Sequence, residues 1–210
     1  MRLLLRWYAQ HRRDLPWRRT RDPYRILVSE IMLQQTQVSR VIPKFREFLR
    51  KYPSLGDLAG APVREVKETW FPLGYNIRPV RLRQIARTVV TRHGGRLPDT
   101  REELLKLKGI GEYTAGAVLT FAYGKPTPIL DTNVRRVLRR VFYADRPVSD
   151  RVLWSLSGAL LPRRNGYDFN QALMDFGATV CTARAPACRA CPMKRLCRAY
   201  PSLANTQRSP

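Results

Sequence analysis

The chain has 210 residues, 44% of them hydrophobic, enough to bury one full core or two small ones and too many for a disordered tract. Its 39 Lys and Arg against 16 Asp and Glu give a net charge of +23 and a pI near 11.1, an excess that points to a polyanionic partner. The opening Met1-Arg2-Leu3-Leu4-Leu5-Arg6 is too short an apolar run for a secretory signal and no stretch reaches spanning length, so no membrane partner and a cytoplasmic, nucleoid-associated location are expected.

Apolar residues recur at helical spacing almost throughout, without a sustained alternating run, which predicts an all-α fold. Asp22 before Pro23 is an N-cap followed by proline at the first helical position, opening a helix through Tyr24, Ile26, Leu27, Ile31 and Leu33. Glu30 lies inside that apolar run. It is either an exposed position on a buried helix or a carboxyl whose burial raises its pKa and keeps a proton available. Gln34 and Gln35, which follow, are of a type that is ordinarily solvated. Further helices are expected over 38–51, 63–71, 77–92 and 101–107, with a break at Gly94-Gly95. The pairs Arg12-Arg13, Arg18-Arg19, Arg135-Arg136 and Arg139-Arg140 are solvated helix faces taken singly; their total suits bidentate phosphate contacts.

From Leu104 to Gly116 the pattern reads helix, Lys108-Gly109-Ile110-Gly111 turn, helix. Glycines on either side of one apolar residue let the backbone turn sharply and approach another molecule closely, while Ile110 anchors the turn. The next helix start exposes N–H groups suited to a phosphate. A bare Gly-x-Gly is more often a plain helix connection; the basic charge of this chain favours DNA. Helices are expected at 112–123, 132–142, 150–160 and 168–180, with breaks from Gly124 to Pro128 and from Pro162 to Gly166. Asp131 precedes a helix and reads first as its N-cap, with helix N–H groups and nearby arginines holding its pKa down. Finally, Cys181, Cys188, Cys191 and Cys197 follow Cys-x6-Cys-x2-Cys-x5-Cys. Four-Cys zinc sites usually pair two short knuckles. A single Cys-x2-Cys in uneven spacing favours an iron–sulfur centre, with zinc as the other reading.

A hairpin of this form, then Asp131, then a four-cysteine loop resembles the endonuclease III superfamily of DNA glycosylases from about Trp7 to Cys197. Leu15-Pro16-Trp17-Arg18, the run from Ser29 to Val38, Leu73-Gly74-Tyr75 and Phe169 to Asp175 resemble the adenine glycosylases of the MutY type. The polar last residues, 201–210, are expected to be a disordered tail; the resemblance implies a six-helix barrel over 15–125 and a second lobe from 1–14 and 126–200 holding a 4Fe–4S cluster on the four cysteines. The extruded base would lie in the cleft between the lobes. It also implies Glu30 as the acid that protonates the departing base and Asp131 as the carboxylate that stabilises the sugar cation, with Asn133 in support. Gln34, Gln35 and Tyr75 would fill the gap in a mispaired or damaged duplex, and Lys108, Gly109 and Gly111 would grip its phosphate.

Tyr113 stands where bifunctional members carry a lysine, so the implied enzyme is a monofunctional monomer that leaves an abasic site. The chain departs from the pattern at Lys108 in place of proline, Pro72 in place of glycine and Asn76 in place of tyrosine. It also ends shortly after Cys197, without the Nudix-like domain that helps long adenine glycosylases recognise 8-oxoguanine. Adenine opposite guanine or 8-oxoguanine is the expected target; thymine or uracil opposite guanine, or hypoxanthine, are the alternatives, and a non-catalytic DNA-binding module is the reading outside enzymes.

Overall fold

The computed structural model describes residues 2–205. Its helices are α1 (Arg2–His11), α2 (Pro23–Leu33), α3 (Val38–Lys51), α4 (Leu55–Gly60), α5 (Val63–Trp70) and α6 (Ile77–Arg92), then α7 (Arg101–Lys106), α8 (Glu112–Phe121), α9 (Thr132–Tyr143), α10 (Asp150–Leu160), α11 (Gly166–Thr179) and α12 (Tyr200–Asn205). A 3-10 turn spans Pro16–Arg18. No strand occurs among the described residues, so the fold is all-α. No described helix is long and apolar enough to cross a membrane. The chain divides into two compact units, one from Asp14 to Gly124 and the other from the segments on either side of it.

In the 14–124 unit, Asp22 starts α2 by accepting from the Tyr24 N–H at 2.8 Å, with Pro23 at the first helical position. α2 is buried from Ile26 to Met32 and α8 from Thr114 to Phe121. Helices apolar on every side belong in the middle of a bundle, and these two pack on each other. α3 and α6 cover α2, while α4 and α5 lie on α6. Phe48 of α3 meets Trp70 of α5 edge to face at 5.7 Å, both fully buried. α4 has little periodic signal in the sequence because it is short and carries Gly56 and Gly60. Its mark is the capping box, in which the Ser54 hydroxyl caps Asp57 and the Asp57 side chain returns to the Ser54 N–H at 3.0 Å.

In the other unit α11 packs on α1 and α9, and α10 on α9. α1 is a second helix that the sequence pattern does not predict: Leu4, Trp7 and Tyr8 form one buried stripe, and Trp7 meets Phe176 of α11 edge to face at 5.4 Å. Arg13, leaving α1, donates through its backbone N–H at 3.1 Å and its Nε at 2.6 Å to the fully buried Asp175. α9 and α11 cross so closely that a Cβ on Gly177 would lie 2.7 Å from the Cβ of Asn133. The tail expected from 201 begins instead as α12; residues 206–210 lie outside the described residues.

Candidate active site

Glu30 points from α2 into the bundle and is only 3% exposed. The exposed alternative is therefore wrong. Tyr113, in the first turn of α8, donates its phenolic O–H to Glu30 Oε2 at 2.7 Å. Because α2 and α8 are packed neighbours, two residues 83 positions apart meet in one hydrogen bond. A phenol can donate to a carboxyl and offers no amine for attack on a sugar.

The hairpin joins α7 to α8 through Leu107–Gly111. Gly109 takes a φ of 109°, where side chains are strained, and Ile110 is buried at 6% exposure. Nothing lies within 4 Å of where a Gly111 Cβ would stand, so the start of α8 is open to close approach. Lys108, Gly109 and Gly111 are all exposed. Glu112 occupies the first turn of α8, and its carboxylate is ion-paired with Arg101 of α7 through Nε at 2.9 Å. Elsewhere in the same unit Gln34 and Gln35 are exposed after the end of α2, and Tyr75 is 57% exposed before α6. Both segments converge on the guanidinium of Arg78, which no sequence motif singles out. A buried arginine has no mark in a chain with so many exposed ones.

Asp131 caps α9, Oδ1 accepting from the Val134 N–H at 2.6 Å, while Asn133 Nδ2 donates to Oδ2 at 3.0 Å. Asn133 Oδ1 in turn accepts from Arg136 at 2.8 Å, and Arg136 also donates to the carbonyls of Gly177 (2.5 Å) and Cys181 (2.7 Å). Burial pushes the Asp131 carboxyl above its usual value, against the opposing pull of the Val134 N–H, the Asn133 groups and Arg136. This corrects the sequence expectation, which counts the cap and the cations and leaves out burial. Of the arginine pairs on α9, Arg136 and Arg140 turn inward, whereas Arg135 and Arg139 pair with Asp150 (2.6 Å) and Asp145 (2.7 Å).

The expected 4Fe–4S centre is overturned. Among the described residues no group of three or more His, Cys, Asp or Glu is placed to hold a metal ion. Cys181, Cys188, Cys191 and Cys197 are free and line a shared cavity of only about 20 Å³. That is about the room one water requires. Burial raises the Cys188 and Cys197 thiols and pushes Cys191 up to about 11. The loop is instead tied to α9 by Arg140, which donates to the carbonyls of Thr182 (2.6 Å) and Ala183 (3.0 Å).

Comparison with known proteins shows which family the chain resembles. Human adenine DNA glycosylase is 49% identical over 211 residues, covering 93% of this chain and 38% of the relative. The chain thus spans about two fifths of the length of the mammalian adenine glycosylases it matches. The thymine/uracil-DNA glycosylase of Pyrobaculum aerophilum is 41% identical over 90% of this chain and 86% of its own length. Among solved structures, a thermostable thymine-DNA glycosylase superposes with a TM-score of 0.90 at 38% identity, covering 96% of this chain and 94% of that one. The family model described as HhH-GPD superfamily base excision DNA repair protein matches residues 28–156, which include Glu30, the hairpin, Tyr113 and Asp131. With that match over more than half of its length, the chain belongs to the HhH-GPD superfamily of base excision DNA repair proteins.

Proposed function

We propose that the chain is a monofunctional DNA glycosylase that, as a monomer, extrudes a mispaired base from duplex DNA and hydrolyses its N-glycosidic bond. The proposed first target is adenine opposite guanine or 8-oxoguanine. The observation that carries this reading is the 2.7 Å hydrogen bond from the Tyr113 phenol to the buried Glu30 carboxyl. Breaking the bond between C1′ and the base nitrogen needs a proton for the leaving base and a negative charge beside the cationic sugar. Glu30, oriented by Tyr113, gives the proton; Asp131, oriented by Asn133 and Arg136, gives the negative charge. Water adds at C1′ and returns a proton to solvent or to Glu30, leaving an abasic site. The mammalian adenine glycosylases among the relatives support adenine. The relatives come from mammals, bacteria and archaea, which weakens the expectation of a nucleoid-associated location, one that presumes a prokaryotic source.

The second reading, removal of thymine or uracil opposite guanine, is supported by the 41% identity to the thymine/uracil-DNA glycosylase and by the superposition on the thymine-DNA glycosylase structure. The two are separated by incubating the protein with duplexes that each carry one mispair and cleaving abasic sites with alkali. Product from A/G or A/8-oxoguanine is expected, lost by about 100-fold or more in Glu30→Gln, the size of a general-acid contribution. Product from T/G or U/G alone would shift the reading to thymine or uracil. No product from any duplex would end it. Borohydride is expected to trap no covalent complex, since Tyr113 has no amine to reduce onto DNA.

A further inference from the structure

Arg78 stands in the first turn of α6 at 5% exposure, its guanidinium carbon 5.5 Å from the ring centre of Trp70 and 5.2 Å from that of Tyr75. Nη1 donates to the carbonyls of Ile31 (3.0 Å), Met32 (2.9 Å) and Gln34. Nη2 donates to Thr36 Oγ1 (3.0 Å) and to the carbonyls of Leu73 (3.1 Å) and Gly74 (3.2 Å). Nε, although buried, has no hydrogen-bond partner, so the donors in use all point at two segments distant in sequence. One is the end of α2 with its following turn; there the cation also meets the negative end of the helix dipole. The other is the turn before α6.

Each segment holds one side-chain-bearing residue in the left-handed region, Gln35 at φ 54° and Tyr75 at φ 50°. Such residues seldom adopt it, because Cβ crowds the backbone. Arg78 grips the carbonyl of the peptide just before each of them, Gln34 O and Gly74 O. Fixing that peptide plane restricts the φ that follows it. Around Tyr75 the turn also exposes Phe71 at 72% and Ile77 at 53%, large apolar groups open to solvent.

We infer that Arg78 is a positioning residue that pins Gln35 and Tyr75 in left-handed geometry and makes their two turns one preformed wedge for a base stack. The pinning follows from the geometry of the free protein; its use on DNA rests on the glycosylase reading. Inserting side chains where a base has left requires them to be ordered, and ordering them beforehand removes that entropy from the insertion step. A lysine keeps the charge, but three donors on one nitrogen cannot span acceptors on both turns.

The test uses the full chain with Arg78→Lys, and Arg78→Gln as a second variant that also removes the charge. In free protein, amide hydrogen exchange at Thr36, whose N–H is held by the Leu33 carbonyl, and at Leu73 and residue 78, held by the carbonyls of Trp70 and Tyr75, is expected to speed up together by about tenfold in Arg78→Lys, with α8 unchanged. Loosening of only one turn, or of neither, overturns the pinning whether or not the protein cuts DNA. In single turnover, Arg78→Lys is expected to slow excision from a mispaired duplex about tenfold, while a target base already unpaired in a bulge is released within about threefold of the wild-type rate. Affinity for undamaged duplex stays unchanged, since no phosphate contact is removed. Equal losses on mispair and bulge would mean a general structural role and overturn the wedge. A wild-type protein that excises nothing from any duplex would instead end the glycosylase reading and the wedge with it, leaving exchange to decide the pinning.

Discussion

Asp131 is pulled two ways. Its cap bond to Val134 and the Asn133 amide favour the carboxylate, yet burial outweighs them and the carboxyl titrates above its ordinary value. Since the folded-state value lies above the unfolded one, the folded protein binds more protons in the window between the two. Stability from this group is therefore lost as pH rises through that window and regained as pH falls. The proposed activity depends on the opposite form, because a sugar cation is stabilised by the ionised carboxylate. The acid limb of kcat/KM is accordingly expected above the usual aspartate range of about 3.9. Asp131→Asn separates the two effects: asparagine also caps helices, so the melting temperature at neutral pH should equal or exceed wild type, while excision falls by about 100-fold or more. A melting temperature several degrees lower would mean that the charged cap outweighs burial and that the carboxyl titrates below its ordinary value.

At the scale of elements, the position of Asp131 depends on where α9 and α11 cross. Any side chain on Gly177 would overlap Asn133, whose backbone carbonyl also lies 3.1 Å from the Cβ position, so the helices must part. Gly177→Ala is therefore expected to destabilise by about 1–3 kcal/mol, the usual range for overpacking, and to slow excision through displaced Asn133 and Asp131. Thermal unfolding and single-turnover rates check the two together; loss of stability with full activity would show that Asn133 does not position Asp131. The sequence marks some of this architecture and hides the rest. α2 and α8 are legible, since an N-cap proline and apolar residues on every face leave few alternatives, and they carry Glu30 and Tyr113. α1 and α4 are not, being short helices with a narrow stripe or two glycines. Arg78, Arg136 and Arg140 are invisible for a different reason: their burial is set by tertiary carbonyl acceptors at helix ends and turns, which leave no periodic trace. The cysteine spacing points to a cluster that the described residues do not form.

For the whole molecule, a charge of +23 sets what is expected of binding before any base is read. Part of the positive charge is spoken for within the protein: Arg13 by Asp175, Arg101 by Glu112, Arg135 by Asp150 and Arg139 by Asp145. The exposed remainder is expected to attract duplex DNA of any sequence by releasing the counterions condensed on it. Affinity for an undamaged duplex should therefore fall steeply and linearly on logarithmic axes as salt rises, with a slope of about 0.9 per phosphate neutralised. Lys108, exposed beside Gly109 at the open start of α8, is expected to be one of these contacts. Lys108→Ala should flatten the slope by about one and weaken binding uniformly across sequences. Single-turnover excision at saturating protein should be little changed by salt or by this substitution, because the charge there acts on capture and the proposed reaction rests on Glu30 and Asp131. An unchanged slope in Lys108→Ala would remove that residue from the phosphate contacts, and a salt-sensitive chemical step would place part of the charge at the reacting base.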